Sequence, residues 1–155
     1  MTASGYNFSI ESEVNGTKGS IWNHITQMKN VNAELFPFCR MTYPSDMSEI
    51  GGQTVPMNTV LFTSVILLFG LIPIDLHYLK FSGLEDGHFF HENSYTFTHI
   101  FWKHSRTISE RNGKVYVLDD LSFSPRIPLI GYILLPLYKL IFANRHRILR
   151  NSFSL

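Results

Sequence analysis

The residue types that could do chemistry are concentrated in residues 101–125, FWKHSRTISERNGKVYVLDDLSFSP. Trp102, His104 and Arg106 alternate there, so on a strand their side chains share one face. An imidazole can take or give a proton near neutral pH, and a guanidinium can orient a carbonyl or carboxylate oxygen. With Glu92 on the neighbouring predicted strand, His104 and Arg106 are therefore the candidate catalytic residues. The alternative, which we favour, is a cross-strand network that holds the sheet in register.

Two adjacent acidic residues follow in the same stretch. Because Asp119 and Asp120 are neighbours on a strand, they point to opposite faces and cannot act as a paired carboxylate. We expect one of them to meet solvent. The other, for which Asp120 is our choice, is expected to form an ion pair with Arg106 or Arg126, with Glu92 as the rival partner. A structural role is therefore predicted for this pair.

The histidines do not have the spacing of a metal site. His77, His88, His91, His99 and His104 lie on different predicted strands, and no HExxH pair is present. The sequence also has no nucleophile motif and no glycine-rich loop with the lysine that a phosphate site requires. We therefore predict that the protein binds no metal and no cofactor.

The composition argues against nucleic acid as a partner. The 155 residues carry a formal net charge of +1, with 16% charged and 45% hydrophobic residues, and 13 of them are phenylalanine. Four basic side chains cluster in residues 144–150, NRHRILR, and could bind nucleic acid or anionic lipid. We favour a solvated helix end whose charge complements the helix dipole. The apolar excess indicates a large core, an apolar pocket or contact with a membrane.

Nothing in the sequence indicates secretion or membrane insertion. The N-terminal residues lack a basic segment followed by an apolar one, and the single Cys39 cannot form an internal disulfide. The apolar stretches at 60–74 and 127–143 are interrupted by proline and are short for a membrane-spanning helix. We therefore expect a cytoplasmic protein.

The first third of the chain is predicted to contain a strand, a helix and a loop. Residues 6–14 alternate apolar and polar side chains, as a half-exposed strand does. Residues 15–36 carry apolar side chains at helical spacing, and Thr17 or Ser20 could cap the helix. A brief strand is expected within 37–44, and the polar, glycine-containing residues 45–57 indicate a loop.

The remainder is predicted to be a meander of strands followed by one long helix. Strand-like segments occupy most of residues 59–124, and the turn signals EDG and RNG join consecutive strands as antiparallel hairpins. Residues 125–153 have the apolar stripe of a single helix, in which Pro136 should produce a kink. Because such a sheet has one face to cover, the long helix is expected to pack on it.

Three segments also carry a family pattern, which covers nearly the whole chain in order. The matching residues are Trp22, Val31 and Asn32 in the first helix; Trp102, His104, Asn112, Gly113, Asp120, Phe123, Pro125 and Arg126 in the last hairpin; and Phe142, Arg145, His146 and Leu149 in the final helix. In these segments the sequence resembles the helix-grip superfamily (SRPBCC) of START-related, polyketide-cyclase-like and Bet v 1-like domains. It is most similar to stand-alone bacterial members without an assigned activity. Residues 45–57 match no part of the pattern.

The resemblance implies an α+β helix-grip fold, with a curved antiparallel sheet wrapped around a long C-terminal helix. Residues 1–155 would form a single ligand-binding domain. The implied function is binding of a small hydrophobic molecule, such as a lipid, quinone, polyketide or aromatic compound, between sheet and helix. The expected pocket residues are Phe62, Ile66, Leu76, Tyr78, Phe90, Trp102, His104, Tyr116, Leu137 and Ile141. A slip of one residue along a strand would exchange the inward and outward sets.

Two other functions remain open at this point. One is a cyclase or dehydratase that acts on a polyketide-like substrate, with His104, Arg106 and Glu92 supplying proton transfer and orientation. The other is a non-catalytic interaction module whose apolar surface makes transient contact with a membrane or with a partner protein. The protein is predicted to be a binding protein rather than an enzyme.

Overall fold

A computed structural model describes residues 5–154. These residues form seven strands and three α-helices, with short 3-10 helices at Ser45–Met47 and Pro128–Ile130. The elements in chain order are β1 (Tyr6–Val14), α1 (Lys18–Ile25), α2 (Met28–Leu35), β2 (Cys39–Met41), β3 (Val60–Leu68), β4 (Ile72–Glu85), β5 (Phe89–Thr96), β6 (His99–Arg111), β7 (Lys114–Pro125) and α3 (Gly131–Ser152). This order confirms the predicted series of strand, helical segment, meander and long helix.

All seven strands belong to one antiparallel sheet. Its strand order is β1-β7-β6-β5-β4-β3-β2, so β3 to β7 form a continuous meander and β1 joins its far edge. The RNG turn between β6 and β7 contains Asn112 and Gly113 with φ of 53° and 75°. Asn-Gly is the pair that tolerates two such left-handed positions in a tight hairpin, so the turn fixes the register of the two longest-paired strands.

The predicted first helix is in fact two helices. Thr17 caps α1 and forms a capping box with Ser20, as expected. The last α-helical hydrogen bond of α1 runs from the amide of Thr26 to the carbonyl of Trp22, and the amide of Met28 instead donates to the carbonyl of Ser48 at 2.8 Å. The amide of Ile50 in turn donates to the carbonyl of Thr26 at 3.0 Å. Because the 45–57 loop takes these backbone groups, the helix breaks and α2 starts in a new direction.

The long helix α3 packs on the sheet with only part of its surface. Phe142 and Leu149 are buried, and Phe142 joins Leu121 and Phe123 of β7 in one apolar cluster. Leu149 joins Ile21 and Trp22 of α1 in a second apolar cluster. The N-terminal half of α3 instead leaves Tyr132, Ile133, Leu137 and Leu140 exposed. Within residues 5–154 no helix is both long enough and apolar enough to cross a membrane.

Candidate functional site

A cavity of about 330 Å³ lies between the sheet and α3. This volume is within the range of small-molecule sites, which usually begin at ~300 Å³. Most of its lining is apolar and comes from every layer of the fold; examples are Met28, Leu35, Ile66, Leu79, Phe81 and Phe142. Because α3 and the sheet do not close on each other here, the space is left unfilled by side chains.

The cavity opens at the turn between β3 and β4. Phe69, Ile74 and Leu137 all line the cavity and are also exposed, at 64%, 48% and 41% of their surface. Residues that contact both the cavity and the surrounding solvent lie where the cavity reaches the surface. The opening is therefore framed by the β3–β4 turn and the middle of α3, and its rim is apolar.

The sheet side of the cavity carries a first polar cluster, His77, Glu92 and His104. Nε2 of His77 lies 2.5 Å from Oε1 of Glu92, which also accepts a hydrogen bond of 2.8 Å from the hydroxyl of Ser94. Nδ1 of His104 lies 3.7 Å from Oε2 of the same carboxylate. Glu92 of β5 and His104 of β6 are directly opposite in the strand register, whereas His77 of β4 is opposite Thr96 and its side chain reaches Glu92 along the same face of the sheet.

Glu92 remains ionised in this buried position. Burial alone would raise its pKa, but the electrostatic interactions and hydrogen bonds that the carboxylate makes with His77 and His104 outweigh burial and lower the pKa to about 2. A carboxylate held in this way keeps the proton of His77 on Nε2. The cluster can therefore orient an imidazole toward the cavity.

A second polar cluster consists of Asp75, His99 and Tyr138. Nε2 of His99 lies 3.0 Å from the hydroxyl of Tyr138, and its Nδ1 lies 3.7 Å from Oδ2 of Asp75. Thr98 donates to Asp75 from its amide at 3.1 Å and from its hydroxyl at 2.6 Å. Although burial would raise the pKa of Asp75, the hydrogen bonds from His99 and the threonines lower it to about 2. Burial raises the pKa of Tyr138, so its hydroxyl stays neutral.

Arg106 does not face the cavity and belongs to a buried ion network. Its Nε and one terminal nitrogen each lie 2.7 Å from the carboxylate of Asp119, and its other terminal nitrogen lies 3.1 Å from Glu34. Nε of Arg145 binds the same Glu34 carboxylate at 3.0 Å. Arg106, Asp119 and Glu34 are all at most 1% exposed. The network ties α2 and α3 to the sheet.

Asp119 accepts four hydrogen bonds, which is its full capacity. Besides the two bonds from Arg106, Nε2 of His104 and Nε2 of His146 each lie 2.8 Å from its oxygens. Burial would raise the pKa of Asp119, but the charge and hydrogen bonds of Arg106 and His104 hold it well below its usual range. Burial would lower the pKa of His104, and Asp119 more than offsets this, so the pKa of His104 is raised.

The predicted roles of the two aspartates are therefore reversed. Asp119 is the inward residue that pairs with Arg106, whereas Asp120 is exposed and accepts a hydrogen bond from Ser9. Arg126 pairs with neither and donates to the backbone carbonyls of Phe97 and Thr96. The opposite faces of the two residues were correctly predicted, but the direction was not, although the residues on the side of Asp119 are uniformly apolar and those on the side of Asp120 include Ser122.

Six of the ten expected pocket residues line the cavity: Ile66, Phe90, Trp102, His104, Leu137 and Ile141. Phe62 is buried in an apolar cluster with Met28, Ile50 and Leu79 and does not line the cavity. Leu76, Tyr78 and Tyr116 were wrongly placed, since they lie on the outer face of the sheet. There Tyr78 stacks on Tyr95, and Arg111 lies over the ring of Tyr116.

The basic segment at 144–150 is only partly a solvated helix end. Arg145 and His146 are buried, at 6% and 0% exposure, and bind Glu34 and Asp119. Arg147 is exposed, as expected, and Arg150 donates to Ser12 at 2.7 Å. The two buried residues were missed because their acidic partners are more than 25 positions away along the chain. Among the described residues no group of His, Cys, Asp and Glu is arranged to hold a metal ion.

The curved antiparallel sheet and the long C-terminal helix define the fold that START and Bet v 1 domains share. The chain belongs to the family described as Domain of unknown function (DUF8410), whose model matches residues 12–153. No curated protein matches the sequence.

Solved structures show the same fold at low sequence identity. A START superfamily protein from Mycobacterium smegmatis is 8% identical, with a TM-score of 0.64 and coverage of 95% of this chain and 96% of the other. The allergen Ara h 8.0201 is 7% identical, with a TM-score of 0.56 and coverage of 94% and 98%. DynU16, from the dynemicin biosynthetic locus, is 12% identical with a TM-score of 0.57; the match covers 95% of this chain and 48% of DynU16. This chain thus spans about half the length of DynU16.

Proposed function

We propose that residues 1–155 form one ligand-binding domain that holds a small, mostly apolar molecule between the sheet and α3. The observation that carries this proposal is the open cavity of about 330 Å³ with an apolar lining. A chain of this size could fill its interior with side chains, as most protein cores do. A retained cavity with an apolar opening is what a binding site for a hydrophobic compound requires.

The first experiment is native mass spectrometry of the purified protein, followed by extraction and identification of any bound molecule. The second is displacement of an apolar fluorescent dye, with a variant that fills the cavity. Ile66→Trp places a larger side chain in the lining and is expected to abolish dye binding. Leu76→Trp makes a comparable change on the outer face and should leave binding intact. Equal dye binding by both variants would exclude the cavity as the site.

A catalytic function is the second candidate, because two carboxylate–imidazole pairs face the cavity. These are Glu92 with His77 and Asp75 with His99. Such pairs can transfer protons in the dehydration step of a cyclase or dehydratase acting on a polyketide-like substrate. His104 and Glu92 keep their candidate roles, whereas the guanidinium of Arg106 is fully engaged by Asp119 and Glu34. DynU16 comes from a biosynthetic locus, which is compatible with this candidate.

Turnover can be measured with 4-hydroxy-4-phenylbutan-2-one, which gives an ultraviolet-absorbing enone when it loses water. A rate above background that disappears in Glu92→Gln but persists in Tyr78→Phe would support catalysis. A rate equal to background in the wild-type protein, with dye binding intact, would leave binding as the function.

Membrane contact is supported by the apolar rim of the cavity. Phe69 and Leu71 of the β3–β4 turn are 64% and 82% exposed, and Ile133 of α3 is 70% exposed. A ligand that partitions into lipid could enter through a rim that touches a bilayer. Sedimentation with phosphatidylcholine vesicles, compared between the wild-type protein and Leu71→Ser, tests this. Binding that is absent, or unchanged in the variant, would contradict it.

A further inference from the structure

Two polar atoms at the sheet side of the cavity have no protein partner. Every side-chain nitrogen and oxygen of residues 5–154 that is inaccessible to solvent has a hydrogen-bond partner, so a polar atom without one must border accessible space. No group of these residues lies within hydrogen-bond reach of Nδ1 of His77 or of Nε1 of Trp102. Both side chains line the cavity, and His77 is only 5% exposed. The space that these two atoms reach is therefore the cavity itself.

The two atoms have opposite hydrogen-bonding character. Nε2 of His77 donates to the Glu92 carboxylate at 2.5 Å, so in the neutral ring Nδ1 carries a lone pair and accepts. The indole nitrogen of Trp102 can only donate. Leaving either group dry and unpaired is unfavourable, because a buried polar group without a partner loses its hydration without compensation.

The two rings are also neighbours in the cavity wall, at a separation compatible with one ligand atom between them. The rings of His77 and Trp102 are 6.1 Å apart between centroids and nearly perpendicular, at 79°. An oxygen about 3 Å from each of two nitrogens can bridge nitrogens up to about 6 Å apart. Tyr138 closes the site from α3, with its ring 5.1 Å from that of Trp102 and its hydroxyl engaged by His99.

We propose that this end of the cavity is a hydroxyl-binding site, in which an alcohol or phenol donates to Nδ1 of His77 and accepts from Nε1 of Trp102. The remainder of the ligand is apolar, as the rest of the lining requires. This inference rests on the proposed ligand-binding function and specifies the ligand class. A hydroxyl group is selected because it both donates and accepts through one oxygen.

Other oxygen groups match the site less well. An ether or ketone can only accept, so Nδ1 of His77 would be left unpaired. A carboxylate also can only accept, and it would bring a negative charge next to the carboxylates of Glu92 and Asp75. Arg145 also lines the cavity, but its guanidinium is paired with Glu34 and lies over the ring of Phe142. It is two helical turns from Tyr138, about 10 Å along α3. The ring nitrogens of His104 are directed at Asp119 and Glu92.

The test uses four probes with one apolar frame: naphthalene, 2-naphthol, 2-methoxynaphthalene and 2-naphthoate. Their dissociation constants are measured near neutral pH by calorimetry or by dye displacement. We expect 2-naphthol to bind about tenfold more tightly than 2-methoxynaphthalene, since the two differ in the hydrogen that reaches His77. We expect 2-naphthoate to bind more weakly than 2-naphthol.

A matched pair of variants assigns the effect to the site. Trp102→Phe removes the indole N–H and keeps an aromatic ring, so it should weaken 2-naphthol about fivefold and leave naphthalene unchanged. Tyr78→Phe removes a hydroxyl from the outer face and should change neither probe. The ratio of the two constants is the measured quantity, because a loss of folded protein affects both probes equally.

The possible outcomes separate the two proposals. Equal binding of 2-naphthol and 2-methoxynaphthalene, or an unchanged ratio in Trp102→Phe, overturns the hydroxyl site and leaves apolar ligand binding intact. Tightest binding of 2-naphthoate overturns it in favour of an anion site. If none of the four probes binds, including naphthalene, the ligand-binding function and the hydroxyl site both fail.

Discussion

At the scale of single residues, adjacent side chains with the same chemistry have different roles. Asp119 and Asp120 are neighbours on β7, yet one is 1% exposed with four hydrogen bonds and the other is on the surface. Strand geometry alone produces this difference, because successive side chains point to opposite faces. The pair is therefore a built-in comparison between a buried and an exposed carboxylate.

We predict that Asp119→Asn strongly destabilises the protein. The neutral side chain leaves the buried Arg106 without its main counter-charge, and breaking a buried pair in this way typically costs ~3–5 kcal/mol of unfolding free energy. Asp120→Asn is the control and should change the free energy by less than about 0.5 kcal/mol. Urea denaturation of both variants measures the difference. Similar values for the two variants would contradict the buried network.

The pKa of Glu92 predicts how stability depends on pH in acid. Its pKa is lowered from 4.5 to about 2 on folding, so the folded state is favoured above pH 4.5 and this contribution is lost as the pH falls toward 2. The contribution is on the order of 3 kcal/mol. The unfolding free energy of the wild-type protein should therefore fall between these pH values, and that of Glu92→Gln should fall less steeply. Parallel pH profiles would argue against an ionised, paired Glu92.

The raised pKa of His104 has the opposite sign. Its contribution to stability is fully present below the unfolded pKa of 6.5 and is lost as the pH rises through the folded pKa. Protonation of Glu92 and Asp119 in acid lowers the unfolding free energy, and deprotonation of His104 in alkali lowers it as well. A stability maximum between these limits is therefore expected.

The candidate site could be predicted from the sequence only in part, and the reason lies at this scale. Trp102, His104 and Glu92 were found because alternation on strands predicts a shared face. His77 was considered only as a metal ligand, and Asp75 and Tyr138 were not singled out. Their proximity depends on which strands pair and where α3 crosses them, and neither leaves a local signal in the sequence.

At the scale of secondary structure, the strands were predictable and the orientation of β4 was not. The hairpin turns give strong local signals, as in the Asn112–Gly113 turn. In β4, however, Leu76 and Tyr78 alternate with His77 and Leu79, so both faces carry apolar residues. Hydrophobic alternation then does not distinguish inside from outside. The choice is made by packing, since Tyr78 stacks on Tyr95 outside the sheet.

The start of α3 depends on a glycine that touches β1. A Cβ atom added to Gly131 would lie 2.0 Å from the ring of Tyr6, whose hydroxyl binds the carbonyl of Pro128 at 2.9 Å. We predict that Gly131→Ala lowers the unfolding free energy by about 1–3 kcal/mol, because the helix must shift away from the sheet.

Gly19→Ala is the matched control for this prediction. Gly19 lies in α1, and a Cβ atom there would meet nothing within 4 Å. Alanine is favoured over glycine in helices by ~0.5–1 kcal/mol, so this variant should be at least as stable as the wild-type protein. Thermal unfolding of both variants gives the comparison. Equal stability of the two would show that Tyr6 does not constrain the helix.

At the scale of the whole molecule, the buried network and the cavity occupy neighbouring parts of one interior. The network of Arg106, Asp119 and Glu34 joins the sheet to α2 and to the C-terminal half of α3. The N-terminal half of α3 has no such ties and forms one side of the opening. Ion pairs therefore fix the C-terminal half of α3 on the sheet, and the N-terminal half of the same helix borders the cavity.

This arrangement predicts that an apolar ligand stabilises the whole domain. A molecule that binds only the folded state adds RT ln(1 + [L]/Kd), which is ~2.7 kcal/mol at a hundredfold excess over Kd. For a chain of this length, that corresponds to an increase in Tm of roughly 5–10 °C. Thermal unfolding of the wild-type protein with saturating 2-naphthol measures it.

The same measurement on Ile66→Trp and Leu76→Trp shows whether the increase in Tm comes from binding in the cavity. Ile66→Trp occupies the cavity, so its Tm should no longer respond to the ligand, whereas Leu76→Trp should respond like the wild-type protein. Asp119→Asn should start from a lower Tm and show the same ligand-induced increase, because Asp119 does not line the cavity. Distant, independent effects add in this way. Loss of the increase in Asp119→Asn would instead show that the ion network shapes the cavity, and that the two halves of α3 are coupled.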